Sequence, residues 1–158
     1  MAYILITSDQ RSINEIIVPA IEIVKFRLKI GKWPIYERTP FLNNLKKNDN
    51  CVMYLAGHNE LSQHFISYFE ILSINPFPDV ENEEKELGII TSKPVKEIIF
   101  KQTTVMKPVS VRELLAILDY TSTVTDKSWG AKFMGGVRKL SEEDFNLIRQ
   151  IGDNEEEN

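Results

Sequence analysis

The first apolar run, "YILITS" over residues 3–8, is short and rich in β-branched side chains, which predicts a strand. Behind it, Ser12 to Glu15 has the S-x-x-E form of a capping box, and Ile16, Ile17, Ala20, Ile21 and Val24 recur at helical spacing. A helix is therefore expected from Ser12, kinked or divided into two short helices at Pro19, where the ring removes a backbone hydrogen bond and clashes with the preceding turn. Thr39 as N-cap and Pro40 at the first helical position predict a second, short helix to about Lys46. Residues 51–56 and 64–74 read as strands, the second alternating through Phe69, Ile71 and Ser73. Further strands are expected at 87–91 and 95–100, the latter running on toward Val105. "SVRE" at Ser110 to Glu113 is another capping box, with Val109 and Leu114 as its hydrophobic staple. A last helix begins at Ser141 in "LSEEDF", with Asp144 reaching back and Leu140 packed against Phe145. Strands with helices interleaved and at the edges predict an α+β fold built on a mostly antiparallel sheet or small barrel.

A chain of 158 residues has room for one core, read as a single domain over 1–151 followed by an acidic tail at 152–158. The composition, 42% hydrophobic and 27% charged, is that of an ordinary globular chain. Cys51 stands alone, so neither an internal disulfide nor a thiolate cluster is possible, and its strand-like setting reads as a small buried apolar residue. The N-terminal run lacks a basic flank and no stretch approaches a membrane span, so the expected compartment is the cytoplasm.

The net charge of −4 argues at first against a nucleic-acid partner. Yet residues 79–86, "DVENEEKE", and 153–158, "DNEEEN", each carry a net −4, which leaves the remainder mildly basic. A counterion-driven binder is excluded; a binder that relies on a specific pocket is not.

Motifs that would carry chemistry are missing. There is no G-x-S-x-G, Walker A, G-x-G-x-x-G after a strand, H-E-x-x-H or C-x-x-C. His58 and His64, with Glu60 between them, match no helical or strand face and read as a polar hairpin loop rather than a metal site. Neither a metal nor a cofactor is expected, and no catalytic residue is assigned.

Two aromatic stretches remain. "KWPIYERTP" holds Trp33, Pro34 and Tyr36 with Arg38 behind; "TDKSWGAKFMGGVRKL" holds Trp129 and Phe133 among glycines and the cations Lys127, Lys132, Arg138 and Lys139. Both tryptophans fall outside the expected regular elements. Flat faces for stacking, worth ~1 to 3 kcal/mol per base, together with cations for phosphates are what a nucleobase site needs. From composition alone the same two tryptophans read first as plugs closing the ends of a small barrel.

Here the chain acquires a family likeness. "WPIYERTPFLNNLKKND" followed by "CVMYLAG" resembles the W-[GP]-[VI]…T-x…L-K-x-G-D-x-V-x-x-Y segment of EVE domains in the PUA-like superfamily. "SWGAKFMGGVRKLSEEDFNLI" resembles that family's closing segment, "FEILSINPFPD" its strand and Pro-rich turn, and "MKPVSVRELLAIL" its P-V-x-x-x-E-L helix. The departures are Asn48 where a glycine is usual and Ser8-Asp9 in place of Ser-Glu-Pro. The resemblance implies a PUA-like open β-barrel with flanking helices and no catalysis. It also implies reading of a modified base, in DNA or RNA, flipped into an aromatic pocket, as in the related YTH domains. By that likeness Ser8, Asp9, Trp33, Pro34 and Tyr36, with Trp129 or Phe133, would form the pocket, and Arg38, Lys46, Lys132 and Arg138 would hold flanking phosphates. Ser8 and Asp9 would read the base edge.

Two other functions are compatible with the residues. The related ASCH branch includes small amidohydrolases acting on modified nucleosides, for which Lys46, Thr39 and Glu37 are the available groups. The acidic 79–86 loop would suit a protein-interaction or accessory module.

Overall fold

The computed structural model describes residues 1–59, 61–78, 87–89, 93–124 and 128–154. Glu60, the 79–86 loop, residues 90–92 (which include the last two of the strand expected at 87–91), residues 125–127 with Lys127, and residues 155–158 lie outside this set.

Among the described residues six strands form one sheet: β1 (Ala2–Thr7), β4 (Lys32–Ile35), β5 (Asn50–Leu55), β6 (His64–Pro76), β7 (Lys96–Ser110) and β8 (Val137–Leu140), in the order β4-β7-β6-β5-β1-β8. Every pairing is antiparallel except β1 with β5, where Tyr3 faces Cys51 and Leu5 faces Met53. A two-stranded ribbon of β2 (Gln10–Arg11) and β3 (Ile17–Val18), and two helices, α1 (Ala20–Ile30) and α2 (Glu142–Asn154), complete the fold. Register shifts at three places along the β6–β7 pair bend these long strands, as bulges do, and curl the sheet into a half-barrel.

Strand β1 is buried at every residue, which explains its apolar run without alternation: both faces of the sheet are covered. On one face Tyr3, Leu5, Cys51, Met53, Phe69 and Ile71 pack with Ala20 and Val24 of α1 and with Trp33. On the other, Ala2, Ile4, Ile6, Val52 and Tyr54 pack with Phe145 and Ile148 of α2. No helix among the described residues is long and apolar enough to cross a membrane.

Several expected elements differ. The capping box at Ser12 opens no helix: its hydroxyl accepts from Asn14 N–H and Ile16 N–H in a local turn, and Ile13, Ile16 and Ile17 stay exposed. The helix starts after Pro19, whose fixed φ of −63° suits a position before the first turn rather than a kink inside it. Residues 39–45 make successive turns instead of a helix, because Phe41 sits at φ 61° and the Thr39 hydroxyl turns back to accept from Tyr36 N–H. The second capping box yields only a 3-10 turn over Val111–Leu114, without a side-chain hydrogen bond from Ser110. Of the two strands expected around Lys93-Pro94, the second becomes the 15-residue strand β7, which runs past Val105 to Ser110; of the first, Ile89 makes an isolated bridge to Ser12 and residues 90–91 lie outside the described residues. At α2 the Ser141 hydroxyl does cap Asp144 N–H, but the Asp144 carboxylate accepts from Asp119 N–H and Tyr120 N–H instead of reaching back.

Candidate functional site

Helix α1 ends at Gly31, which takes φ 72°, a conformation glycine adopts without a Cβ penalty, and donates its N–H to Arg27 O at 2.9 Å. The turn is so tight that β4 begins at the next residue, and Trp33 returns alongside the last turn of α1. It lies in the edge strand opposite Ile98 of β7, not in a loop, and the proline after it is tolerated because an edge strand leaves one side without ladder bonds. The guanidinium of Arg27 rests 4.3 Å from the Trp33 ring centre, and its Nη1 donates to the Thr7 hydroxyl at 3.2 Å. Both Arg27 and Trp33 are buried.

These residues form one wall of a cleft of about 390 Å³ at the carboxyl end of β1, a volume within the ~300 to 1,000 Å³ of small-molecule pockets. Ile6, Thr7 and Ser8 supply its floor, Ile23 and Arg27 come from α1, and Trp33, Pro34, Tyr36 and Thr39 from β4 and the turn behind it. Gly135, Gly136 and Val137 close it, held over β1 by a hydrogen bond from Ile6 N–H to Gly136 O at 2.7 Å. Both glycines have positive φ, 93° and 87°, which lets the chain turn directly into β8. Apolar walls with a few polar groups, Thr7, Ser8, Gln10, Arg27 and Thr39, suit a flat, heteroatom-bearing ligand.

Of the residues expected to form the pocket, Ser8, Trp33, Pro34 and Tyr36 therefore line one cleft. Asp9 does not. Its Oδ1 accepts from Ala20 N–H at 2.8 Å, satisfying a donor at the start of α1, and its Oδ2 accepts from Asn59 Nδ2 at 2.7 Å and His58 N–H at 3.2 Å. The carboxylate staples three segments together. Phe133 and Trp129 lie across the sheet from the cleft: Phe133 is buried and stacked on Tyr54 at 4.5 Å, with the Trp129 ring edge-on at 6.0 Å and Arg112 over Trp129 at 5.4 Å.

The cations separate likewise. Arg38 shares a neighbouring depression with Tyr36, Glu37 and Lys93, and so stands across Tyr36 from the cleft. Arg138 donates to Met134 O and Ala131 O and lies beside Gly135 on the cleft's other rim, while Lys132 sits over the Tyr120 ring at 4.8 Å. Lys46 precedes β5, whose Asn50 pairs with Ala2, so it belongs to the opposite end of β1, ~20 Å of strand away. Of Lys46, Thr39 and Glu37, only Thr39 lines the cleft, and its hydroxyl is engaged by Tyr36 N–H. His64 Nδ1 pairs with Ser62 O at 2.8 Å, and no group of three His, Cys, Asp or Glu side chains suited to a metal occurs among the described residues.

Arg27 was not foreseen as part of the site. A signal existed: it falls four residues after Ile23 and three after Val24, a charge set into the apolar stripe of α1, where a solvated lysine or arginine would be out of place.

The curled six-stranded sheet with its two helices defines a PUA-like fold, shared with EVE (DUF55), ASCH and YTH domains. No protein-family model and no curated protein sequence matches the chain. Among solved structures it is similar to human THYN1 protein in complex with 5-methylcytosine-containing DNA (TM-score 0.59, 12% identity, covering 97% of this chain and 98% of that one). It is similar also to the YTH domain of Zygosaccharomyces rouxii MRB1 protein in complex with N6-methyladenosine RNA (0.56, 9% identity, 96% and 87%). A third is the ASCH protein from Zymomonas mobilis (0.58, 7% identity, 95% and 94%). At these identities what is shared is the fold.

Proposed function

We propose that this chain is a non-catalytic nucleic-acid-binding module that takes a modified base, flipped out of its strand, into the cleft between β1, α1 and β4. The observation that carries the reading is the convergence of Trp33, Pro34 and Tyr36 with Arg27 and Ser8 on one base-sized cleft. Guanidinium planes and aromatic rings are the two surfaces on which single bases stack, and here one backs the other. The base lies against the Arg27–Trp33 pair, with Thr7, Ser8 and Gln10 near enough to pair with its edge. A polar group left unpaired there would cost ~1 to 3 kcal/mol and so discriminate among bases. Arg38 on one rim and Arg138 on the other serve the flanking phosphates. That two proteins of this fold have been seen with methylated DNA and methylated RNA supports the same class of ligand.

The test is a titration of the protein with oligonucleotides carrying 5-methylcytosine, N6-methyladenine or no modification, followed by tryptophan fluorescence. Binding of one modified strand, lost in Ser8→Phe, is the expected result, since Ser8 is an exposed cleft residue whose enlargement fills the space without disturbing the core. Equal affinity in Ser8→Phe would overturn the reading.

A further inference from the structure

Arg138 stands on β8, an edge strand of the sheet, between two hollows. On one side it borders the cleft: its Nε and Nη2 lie 3.9 Å from where a Cβ on the wall residue Gly135 would be. On the other it lines a second depression, of about 340 Å³, with Thr123, Val124, Ser128, Ala131 and Lys132. Both cations are half-buried and held in place. Arg138 donates Nε to Met134 O at 2.6 Å and Nη2 to Ala131 O at 3.3 Å, and its remaining donors are left for a ligand. Lys132 Nζ lies 4.8 Å from the centre of the Tyr120 ring, whose hydroxyl donates to Lys132 O. Burial raises the pKa of that hydroxyl and the Arg138 charge works against the rise, so both cations converge on one ring. Neither has a carboxylate partner among the described residues; Asp144, the carboxylate bonded to Tyr120, is occupied by the N–H groups of Asp119 and Tyr120. In sequence, residues 123–139 hold one acid, Asp126, against the cations Lys127, Lys132, Arg138 and Lys139, in a chain whose net charge is −4.

We infer that the depression lined by Thr123, Ser128, Lys132 and Arg138 is a backbone site, which takes the phosphodiester joining the nucleotide in the cleft to one neighbour and so draws the strand across β8. This rests on the cleft holding a base. A guanidinium presents a planar fork that matches two phosphate oxygens, and an ammonium beside it adds a point charge. Because Arg138 borders both hollows, the anion it holds belongs to the nucleotide in the cleft or to the next one. The hollow on the far side of Tyr36 suits a phosphate less well, since Glu37 stands there with Arg38 and Lys93. The strand is therefore held asymmetrically, chiefly on the β8 side. Within the closing loop the work is divided: Phe133 packs into the core, while Lys132 next to it binds backbone. Contacts of this kind fix position and register without reading the base.

The experiment measures fluorescence anisotropy of wild type, Lys132→Gln, Lys132→Arg, Arg38→Gln and Lys139→Gln on a modified strand and its unmodified counterpart at several salt concentrations. It is repeated with an uncharged methylphosphonate in place of each phosphate in turn. Lys132→Gln should weaken both strands alike, by about fivefold at low salt, and lower the slope of log affinity against log salt by ~0.7, the share of one phosphate on a single strand. Lys132→Arg should stay within about twofold of wild type, and Arg38→Gln and Lys139→Gln should each lose less than Lys132→Gln. At one position beside the modified base the methylphosphonate should reproduce the loss in wild type and add none in Lys132→Gln. Circular dichroism melts check that the variants fold, as surface changes should. Unchanged affinity in Lys132→Gln, a loss confined to the modified strand, an equal or larger effect of Arg38→Gln or Lys139→Gln, or additive losses at every methylphosphonate position would each overturn the backbone site while leaving the cleft as the base site. Failure of wild type to bind either strand would instead remove the base-binding reading, and this site with it.

Discussion

Arg27 Cζ stands 4.3 Å from the centre of the Trp33 ring, and the helix and strand that carry them are separated by one glycine, Gly31. The pair is part of the core as well as of the cleft: Trp33 is 4% exposed and Arg27 8%. A cation over an aromatic face in a desolvated setting contributes up to ~2 kcal/mol, and lysine does not reproduce the flat stack or the hydrogen bond to Thr7. Arg27→Lys should therefore cost ~1 to 2 kcal/mol in urea unfolding. Trp33→Ala should cost ~3 to 5 kcal/mol, as large-to-small core changes do. For this reason binding by Trp33→Ala has to be read beside its unfolding curve, and Ser8→Phe is the cleaner probe of the cleft.

Asp9 and Gly57 make a second coupled pair. A Cβ on Gly57 would sit 2.5 Å from Asp9 Oδ2, and the residue's φ of 109° is itself unfavourable for any L side chain. Asp9→Ala removes acceptors from Ala20 N–H, His58 N–H and Asn59 and should destabilise by ~1 to 3 kcal/mol. Gly57→Ala should be costly alone, and the double variant should cost less than the two changes added, because the carboxylate that the new methyl strikes is gone. Additive unfolding free energies would refute the coupling. Base selectivity should be the same in Asp9→Ala as in wild type, since this side chain does not line the cleft.

The strand pattern was legible because β1 and β5 are buried on both faces and read as apolar runs, while β6 alternates where one face is less covered. The helix starts were legible only in part. Ser12 and Ser110 have the spacing of capping boxes, but a serine hydroxyl serves a turn as readily as a helix, and the choice is made by β3 pairing with β2 and by β7 running on to Ser110. Of the cleft residues, Trp33, Pro34 and Tyr36 were visible as an oddity of composition in one short stretch, and Ser8 only through the family likeness. Arg27 was hidden because its partner is reached through a turn whose tightness depends on the φ of Gly31. The Trp129 loop misled for the converse reason: its aromatics look like a binding surface in sequence, yet they close the far side of the sheet.

Phe133 makes that last point measurable. It stacks on Tyr54 at 4.5 Å and meets Phe65, Tyr120 and Trp129 within 6.1 Å, all away from the cleft. Phe133→Leu should lower stability by ~1 to 2 kcal/mol, less than the full truncation cost of ~3 to 5, by opening a small void among these rings. Nucleotide affinity should stay at the wild-type value. A loss of affinity exceeding the loss of folded protein would bring the loop back into the site.

Cys51 is one source of the response to alkali, beside the N-terminal amine, whose pKa the Glu142 carboxylate raises. It is wholly buried in β1's parallel partner strand, opposite Tyr3, and burial holds its thiol well above the ordinary value of 9.0. In the unfolded chain the same thiol ionises normally. Below pH 9 both states keep the proton and the thiol contributes no pH dependence; above it the unfolded state binds fewer protons than the native one, so stability falls as pH rises toward the native-state value. The limiting slope is ~1.4 kcal/mol per pH unit for one such group. Tyr54, also pushed up by burial, adds to the decline once pH passes 10.0, its ordinary value. Cys51→Ala should be less stable than wild type at pH 7 because it leaves a void, and should lose stability less steeply between pH 9 and 10, where the thiol acts before the tyrosine. Urea midpoints across that interval decide the matter: parallel lines for the two proteins would show that the buried thiol is not the titrating group.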